Sequence, residues 1–164
     1  MLQYADYQHI LFERRADGVL WCTFNRPEVL NAADRRLHTE FVALWQTVDA
    51  DPDVNCVVVT GAGRAFSAGG DLGMVENAHR DYDEIVRILN EARELVYNML
   101  HCDTPIIAAI NGPAVGAGLV IALLADIRIA GENARLADGH VRIGVPAREQ
   151  AAVDGRAVGG GARL

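Results

Sequence analysis

Pro105 to Gly131, PIIAAINGPAVGAGLVIALLADIRIAG, carries the strand, turn and helix pattern that sets the architecture expected of this chain. It opens on what reads as a buried strand, much as Cys56 to Thr60 is a continuous apolar run of strand length, as expected for a strand covered on both faces. Gly112-Pro113-Ala114-Val115-Gly116-Ala117-Gly118 then reads as a glycine-rich turn, Leu119 to Ala125 as an apolar helix, and the residues up to Gly131 as a second strand. Small residues at a strand-to-helix turn let another molecule approach the backbone. The start of the helix presents N–H groups that no helical carbonyl accepts, at the positive end of the helix dipole. Such donors suit an oxygen that becomes negative during a reaction. A second turn of the same build, Gly61 to Leu72 (GAGRAFSAGGDL), follows the strand Val54 to Thr60. Each turn offers one backbone donor to a single oxyanion.

The chain on the N-terminal side of these turns carries alternating and helical patterns. Ile10 to Glu13 and Gly18 to Asn25 alternate apolar and polar around Ala16-Asp17-Gly18, which predicts a β-hairpin. Asp34 is placed to cap a helix that carries Leu37, Phe41, Leu44, Trp45 and Val48 on one face and ends at Asp51-Pro52-Asp53. Arg80 to Leu100 predicts a long amphipathic helix, with Ile85, Ile88, Leu89, Ala92, Val96 and Met99 on its buried side. After Pro146 the character changes. AREQAAVDGRAVGGGARL has no aromatic residue and no sustained apolar period, so a disordered tail is expected over 148–164, beyond a folded part at 1–147.

Composition narrows the function. A length of 164 residues allows one domain with a real core, and 51% hydrophobic residues fit a globular chain. A net charge of −7 argues against non-specific nucleic-acid binding. The sequence has no lysine, all 15 basic residues being arginine, so a lysine Schiff base and a P-loop lysine are excluded. Cys22, Cys56 and Cys102 lack CxxC spacing and read as free thiols in a reducing compartment. His9, His38, His79 and His101 share no metal-ligand spacing, so no metal is expected. The N-terminus lacks the basic start and apolar run of a signal peptide, and no apolar run is long enough to span a bilayer. A soluble cytoplasmic protein without membrane or nucleic-acid partners is the expectation.

Other chemistries fare poorly. Ser67, the single serine, lacks the first glycine of a nucleophile elbow. Gly61-Ala62-Gly63 begins like a dinucleotide fingerprint, but Phe66 stands where the third glycine belongs. Asp71 is expected to cap a helix and Asp126 to accept backbone hydrogen bonds.

Four motifs together, Asn25-Arg26-Pro27 with Leu30-Asn31-Ala32, AFSAGGDL (65–72), INGPAVGAG (110–118) and ADIRIAG (125–131), resemble the crotonase superfamily, the enoyl-CoA hydratase/isomerase group. They come in the family's order and at its spacing, over about residues 9 to 147. The resemblance implies an α/β fold, a spiral of ββα units, here incomplete because the C-terminal helices that close the site are missing. It implies an enoyl-CoA hydratase/isomerase-type enzyme that binds an acyl-CoA thioester, with coenzyme A as part of the substrate and no separate cofactor. Full-length relatives form trimers or hexamers. Carried over by motif, the oxyanion donors are the amides of Gly70 and Ala117. Ala68, Gly69, Asp71, Leu72, Pro113 and Gly116 surround them, Leu30 and Ala32 flank the coenzyme A moiety, and Arg26 and Arg64 are placed to meet its phosphates.

The family's acid–base residues do not carry over. Val120 and His140 occupy the positions of its two catalytic glutamates, which puts ordinary hydration in doubt. His140 is the remaining candidate base, with Glu149 nine residues on as its carboxylate partner. That pair resembles the β-diketone hydrolase branch, which cleaves carbon–carbon bonds by retro-Claisen chemistry. A non-catalytic, truncated fragment is the third reading. It carries the expectation that loss of the C-terminal helices uncovers apolar surface on the helices 115–125 and 80–100.

Overall fold

A computed structural model describes residues 2–71, 73, 74, 76 and 80–138. Alternation around the Asp17-Gly18 turn gives the expected hairpin: β1 (Ile10–Arg14) pairs antiparallel with β2 (Val19–Phe24), Ile10 opposite Phe24. Each later strand of the main sheet is reached by a helical crossover, and each pairs in parallel. β3 (Cys56–Gly61) lies beside β2, β4 (Ile106–Ile110) beside β3, and β6 (Ile127–Ala130) beside β4, in the order β1-β2-β3-β4-β6.

The crossover from β2 to β3 runs through α1 (Arg35–Asp49), whose start is fixed as the sequence predicts: Asp34 accepts from the Leu37 amide at 2.9 Å. The next crossover runs through α2 (Tyr82–Leu100), capped by Asp81. The third contains β5 (Pro113–Val115) and α3 (Ala117–Leu124). The glycine-rich turn therefore hides a short strand, and its helix begins two residues earlier than expected. Residues 113–115 are too few to show a period.

A second ladder of short parallel pairings joins one crossover to the next. Ala33 bridges Gly70, Ser67 bridges Ala114, and β5 pairs with β7 (Arg135–Ala137). Successive strand–strand–helix units are thus stacked as turns of a spiral. The core between sheet and helices is filled by Leu37, Phe41, Trp45, Val57, Val59, Phe66 and Ile121, with Phe24 packed on Phe41 and Phe66 at ring separations of 4.7 and 5.3 Å.

The surface departs from expectation in two places. α3 is buried along Gly118 to Ala122 and at Leu124, so this helix offers no large apolar face. On α2 only Ala92, Leu95, Val96 and Met99 are buried; Ile85 and Leu89 are 37% exposed and Tyr82 78%. The N-terminal half of α2 runs past the core that its C-terminal half packs on. The sequence period marks the apolar stripe but not where the partner surface ends.

Candidate active site

The site is built from the three loops that the second ladder ties together. Segment 67–71 lies between the loop at 30–34 and β5. Toward the loop, the Ala68 amide donates to Leu30 O at 3.0 Å, the Ala33 amide to Gly69 O at 2.6 Å, and the Asp71 amide to Ala33 O at 2.8 Å. Toward β5, the Ser67 amide donates to Pro113 O at 3.1 Å and the Val115 amide to Ser67 O at 2.9 Å. Below these, the Ser67 hydroxyl donates to Asn31 O at 2.8 Å, a buried structural bond rather than a free nucleophile.

These bonds fix the directions of the two amides singled out in the sequence. In a trans peptide the N–H points opposite to the C=O, and the chain has no cis bonds among its described residues. Gly69 O points at Ala33, so the Gly70 N–H points away from Ala33. Gly116 O accepts from the Val120 amide at 3.0 Å, along the helix, so the Ala117 N–H points backward out of the N-terminus of α3. Neither amide has a hydrogen-bond partner among the described residues. Gly70 is exposed and Ala117 partly so.

Two glycines permit this arrangement. Gly116, at φ 52° and ψ −122°, takes a conformation that a side chain disfavours, and this turns the 116–117 peptide into the helix axis. Gly69 has φ 89°, and a Cβ built on it would lie 2.9 Å from Val115 O and 3.5 Å from the Gly116 Cα. The two turns therefore meet at Gly69 and Gly116, each of which immediately precedes one of the two amides.

The flanking residues fall as follows. Leu30, Ala68, Asp71 and Pro113 are partly exposed around the two turns, whereas Ala32 and Gly69 are buried. Asp71 accepts from the Gly73 amide at 2.9 Å, a local cap as its sequence position suggests. Arg64 is exposed. Arg26 is not: its side chain is 15% exposed, donates to Ala32 O at 2.5 Å, and pairs with Asp34 at 3.3 Å and Asp71 at 3.9 Å. Val120, in the first glutamate position, is fully buried in the core. Leu72, His79, His140, Glu149 and the stretch 148–164 lie outside the described residues.

The sequence reading missed Asn31. Its side chain is fully buried, accepts from the Arg26 amide at 2.9 Å and donates to Ala62 O and Ala65 O at 2.9 Å each. Leu30 and Asn31 both have positive φ, 58° and 56°. A polar residue in a turn motif gives no sign in sequence that it is turned inward; the run of carbonyls it must satisfy exists only in the fold.

The thiols offer no alternative nucleophile. Burial pushes the Cys22 thiol far up and the Cys102 thiol up to about 11, which leaves both protonated at neutral pH. Among the described residues no three His, Cys, Asp or Glu side chains are grouped to hold a metal ion. No described helix is long and apolar enough to cross a membrane.

A spiral of strand–strand–helix units with two glycine-built turns meeting at one point defines the class, and comparison with known proteins agrees. The chain belongs to the enoyl-CoA hydratase/isomerase family, which matches residues 14–151. It is 37% identical over 136 residues to 2,3-dehydroadipyl-CoA hydratase of Escherichia coli, covering 82% of this chain and 51% of that protein. It is 34% identical to 1,2-epoxyphenylacetyl-CoA isomerase of the same organism, covering 78% and 50%. A crystal structure of an enoyl-CoA hydratase/isomerase from Mycobacterium paratuberculosis superposes with a TM-score of 0.81 at 39% identity, over 93% of this chain and 66% of that one. The chain thus spans about half the length of the curated relatives it matches.

Proposed function

We propose that the chain binds an acyl-CoA thioester and stabilises the enolate of its acyl group between the amides of Gly70 and Ala117. The observation that carries this is the pair of N–H groups without a partner among the described residues, each aimed by the carbonyl of its own peptide, on turns that touch at Gly69 and Gly116. The N-terminal dipole of α3 adds positive potential at Ala117. Removing one such donor typically costs about 10²–10³ in rate. Coenzyme A enters as part of the substrate, and enolate formation of this kind needs no further cofactor.

The reaction class is proton transfer beside the thioester carbonyl, with weak hydration. Val120 is buried and cannot carry a proton, and general acid–base assistance is worth about 10²–10⁴-fold per group. Turnover of crotonyl-CoA is therefore expected to be slow or absent. The direct test uses acetoacetyl-CoA, whose enolate absorbs in the near ultraviolet. Bound to the protein, it is expected to ionise at lower pH than free in buffer. A probe that binds and ionises as it does in buffer, or does not bind at all, would overturn the proposal.

A further inference from the structure

We infer that Arg26 is a positioning residue for the Gly70 donor, holding the charge of Asp71 in check beside the oxyanion; this rests on the enolate-binding reading above. Asp71 directly follows Gly70, which puts a partly exposed carboxylate one residue along the chain from the Gly70 donor. Left alone, that carboxylate opposes the charge the site has to stabilise. The Arg26 guanidinium lies against it at 3.9 Å and, on its other side, against Asp34 at 3.3 Å. Asp34 in turn is met by His9 at 3.4 Å. The same guanidinium donates to Ala32 O at 2.5 Å, next to Ala33, whose own N–H and C=O hold Gly69 O and the Asp71 amide.

The geometry gives Arg26 two linked effects. It pins the 32–34 loop, and through Ala33 it fixes the peptide whose N–H is the Gly70 donor. It also supplies the one guanidinium among the described residues that is paired with Asp71. At 15% exposure the group is shielded enough for its charge to act on its neighbours, and the five donors of its planar guanidinium are enough to serve a carbonyl and two carboxylates at once. An exposed phosphate contact would instead leave the side chain free to solvent, as Arg64 is.

Ultraviolet titration of protein-bound acetoacetyl-CoA tests the assignment. In that titration the C–H bond between the two carbonyls breaks, the proton passes to buffer, and the electron pair settles on the carbonyl oxygens. Arg26→Gln is expected to raise the apparent ionisation pH of the bound probe by about one unit. Adding Asp71→Asn in the same chain is expected to bring it back toward the unsubstituted value. A purely structural role for Arg26 predicts no recovery, because the second substitution removes a partner rather than restoring one. Asp71→Asn alone is expected to lower the ionisation pH, and it decides the matter if Arg26→Gln does not fold, Asp71 being at the surface. If the unsubstituted chain ionises the probe as buffer does, the enolate-binding reading falls, and this inference with it. If the unsubstituted chain shifts the probe but Arg26→Gln and Asp71→Asn do not change that shift, only the role of Arg26 is overturned.

Discussion

Asn31 joins the two halves of the site at the scale of one residue. Its amide group satisfies two carbonyls, the part-buried Ala62 O and the buried Ala65 O, and its oxygen takes the Arg26 N–H. Asn31→Ala strips the Arg26 N–H and Ala62 O of these partners and leaves Ala65 O with the Asn111 amide at 3.3 Å, at about 1–3 kcal/mol for an orphaned group. Urea unfolding is expected to show a loss of about 2–4 kcal/mol, since more than one partner is stranded; a loss below half a kcal/mol would mean that water replaces the side chain. Gly69 offers a second test. At φ 89°, with Val115 O 2.9 Å from an added Cβ, Gly69→Ala is expected to cost about 1–3 kcal/mol and to separate the two turns. The enolate titration should then fail even in folded protein. Of these two residues only the glycine was legible in sequence, because a glycine cluster after a strand signals backbone conformation directly. Asn31 belongs to a motif, but nothing local reveals that Ala62 and Ala65 turn their carbonyls toward it.

Elements were legible where a period ran long enough. α1, with five apolar residues on one face and an aspartate at its start, and β3, with its apolar run, lie where the sequence predicts. β5 and β7, three residues each, carry no readable period and exist because neighbouring turns of the spiral pair with each other. The seam between α1 and α2 was also hidden. His38, read only as lacking a metal partner, places Nδ1 2.6 Å from Glu91, which also takes Arg87 at 2.5 Å and the Thr39 hydroxyl at 3.0 Å. Burial by itself raises the Glu91 pKa, but the hydrogen bonds and charges of His38 and Arg87 outweigh it and hold the carboxyl below its ordinary 4.5. A carboxyl depressed in the folded state stabilises the fold above its unfolded value and loses that contribution as pH falls. The seam is therefore at full strength above about pH 4.5 and weakens progressively below it. Unfolding measured from pH 7 downward should show Glu91→Gln less stable than the unsubstituted chain at pH 7, with the gap closing below pH 4.5. A gap that stays constant across this range would show that Glu91 contributes by packing alone.

Over the whole molecule, exposed apolar surface lies on α2, one of the two helices where the sequence placed it, and on a sheet edge, but not on α3. β6 closes the order β1-β2-β3-β4-β6 with one side unpaired among the described residues, and all four of its own residues are exposed. Ile127 and Ile129, two apart and hence on one face, are 54% and 59% exposed, and Leu136 on β7 is 51% exposed. Soluble chains commonly guard such an edge with charge, proline or a bulge. The one charge in β6, Arg128, instead turns back to the last carbonyls of α3, Leu123 O at 3.0 Å and Ala125 O at 2.6 Å. An apolar edge whose N–H and C=O groups on one side lack strand partners among the described residues is a template for another strand, so this 17.7 kDa chain is expected to associate as its concentration rises. Light scattering behind a sizing column, run over a dilution series, measures this directly. Ile129→Lys places a charge on the apolar face without touching the two turns at Gly69 and Gly116. It should move the association midpoint to at least about tenfold higher concentration, or ~1.4 kcal/mol. It should also leave the ionisation of bound acetoacetyl-CoA as it was. A monomer at every concentration would show that the edge is covered. Loss of the enolate shift together with association would show that the site is completed between copies of the chain rather than within one.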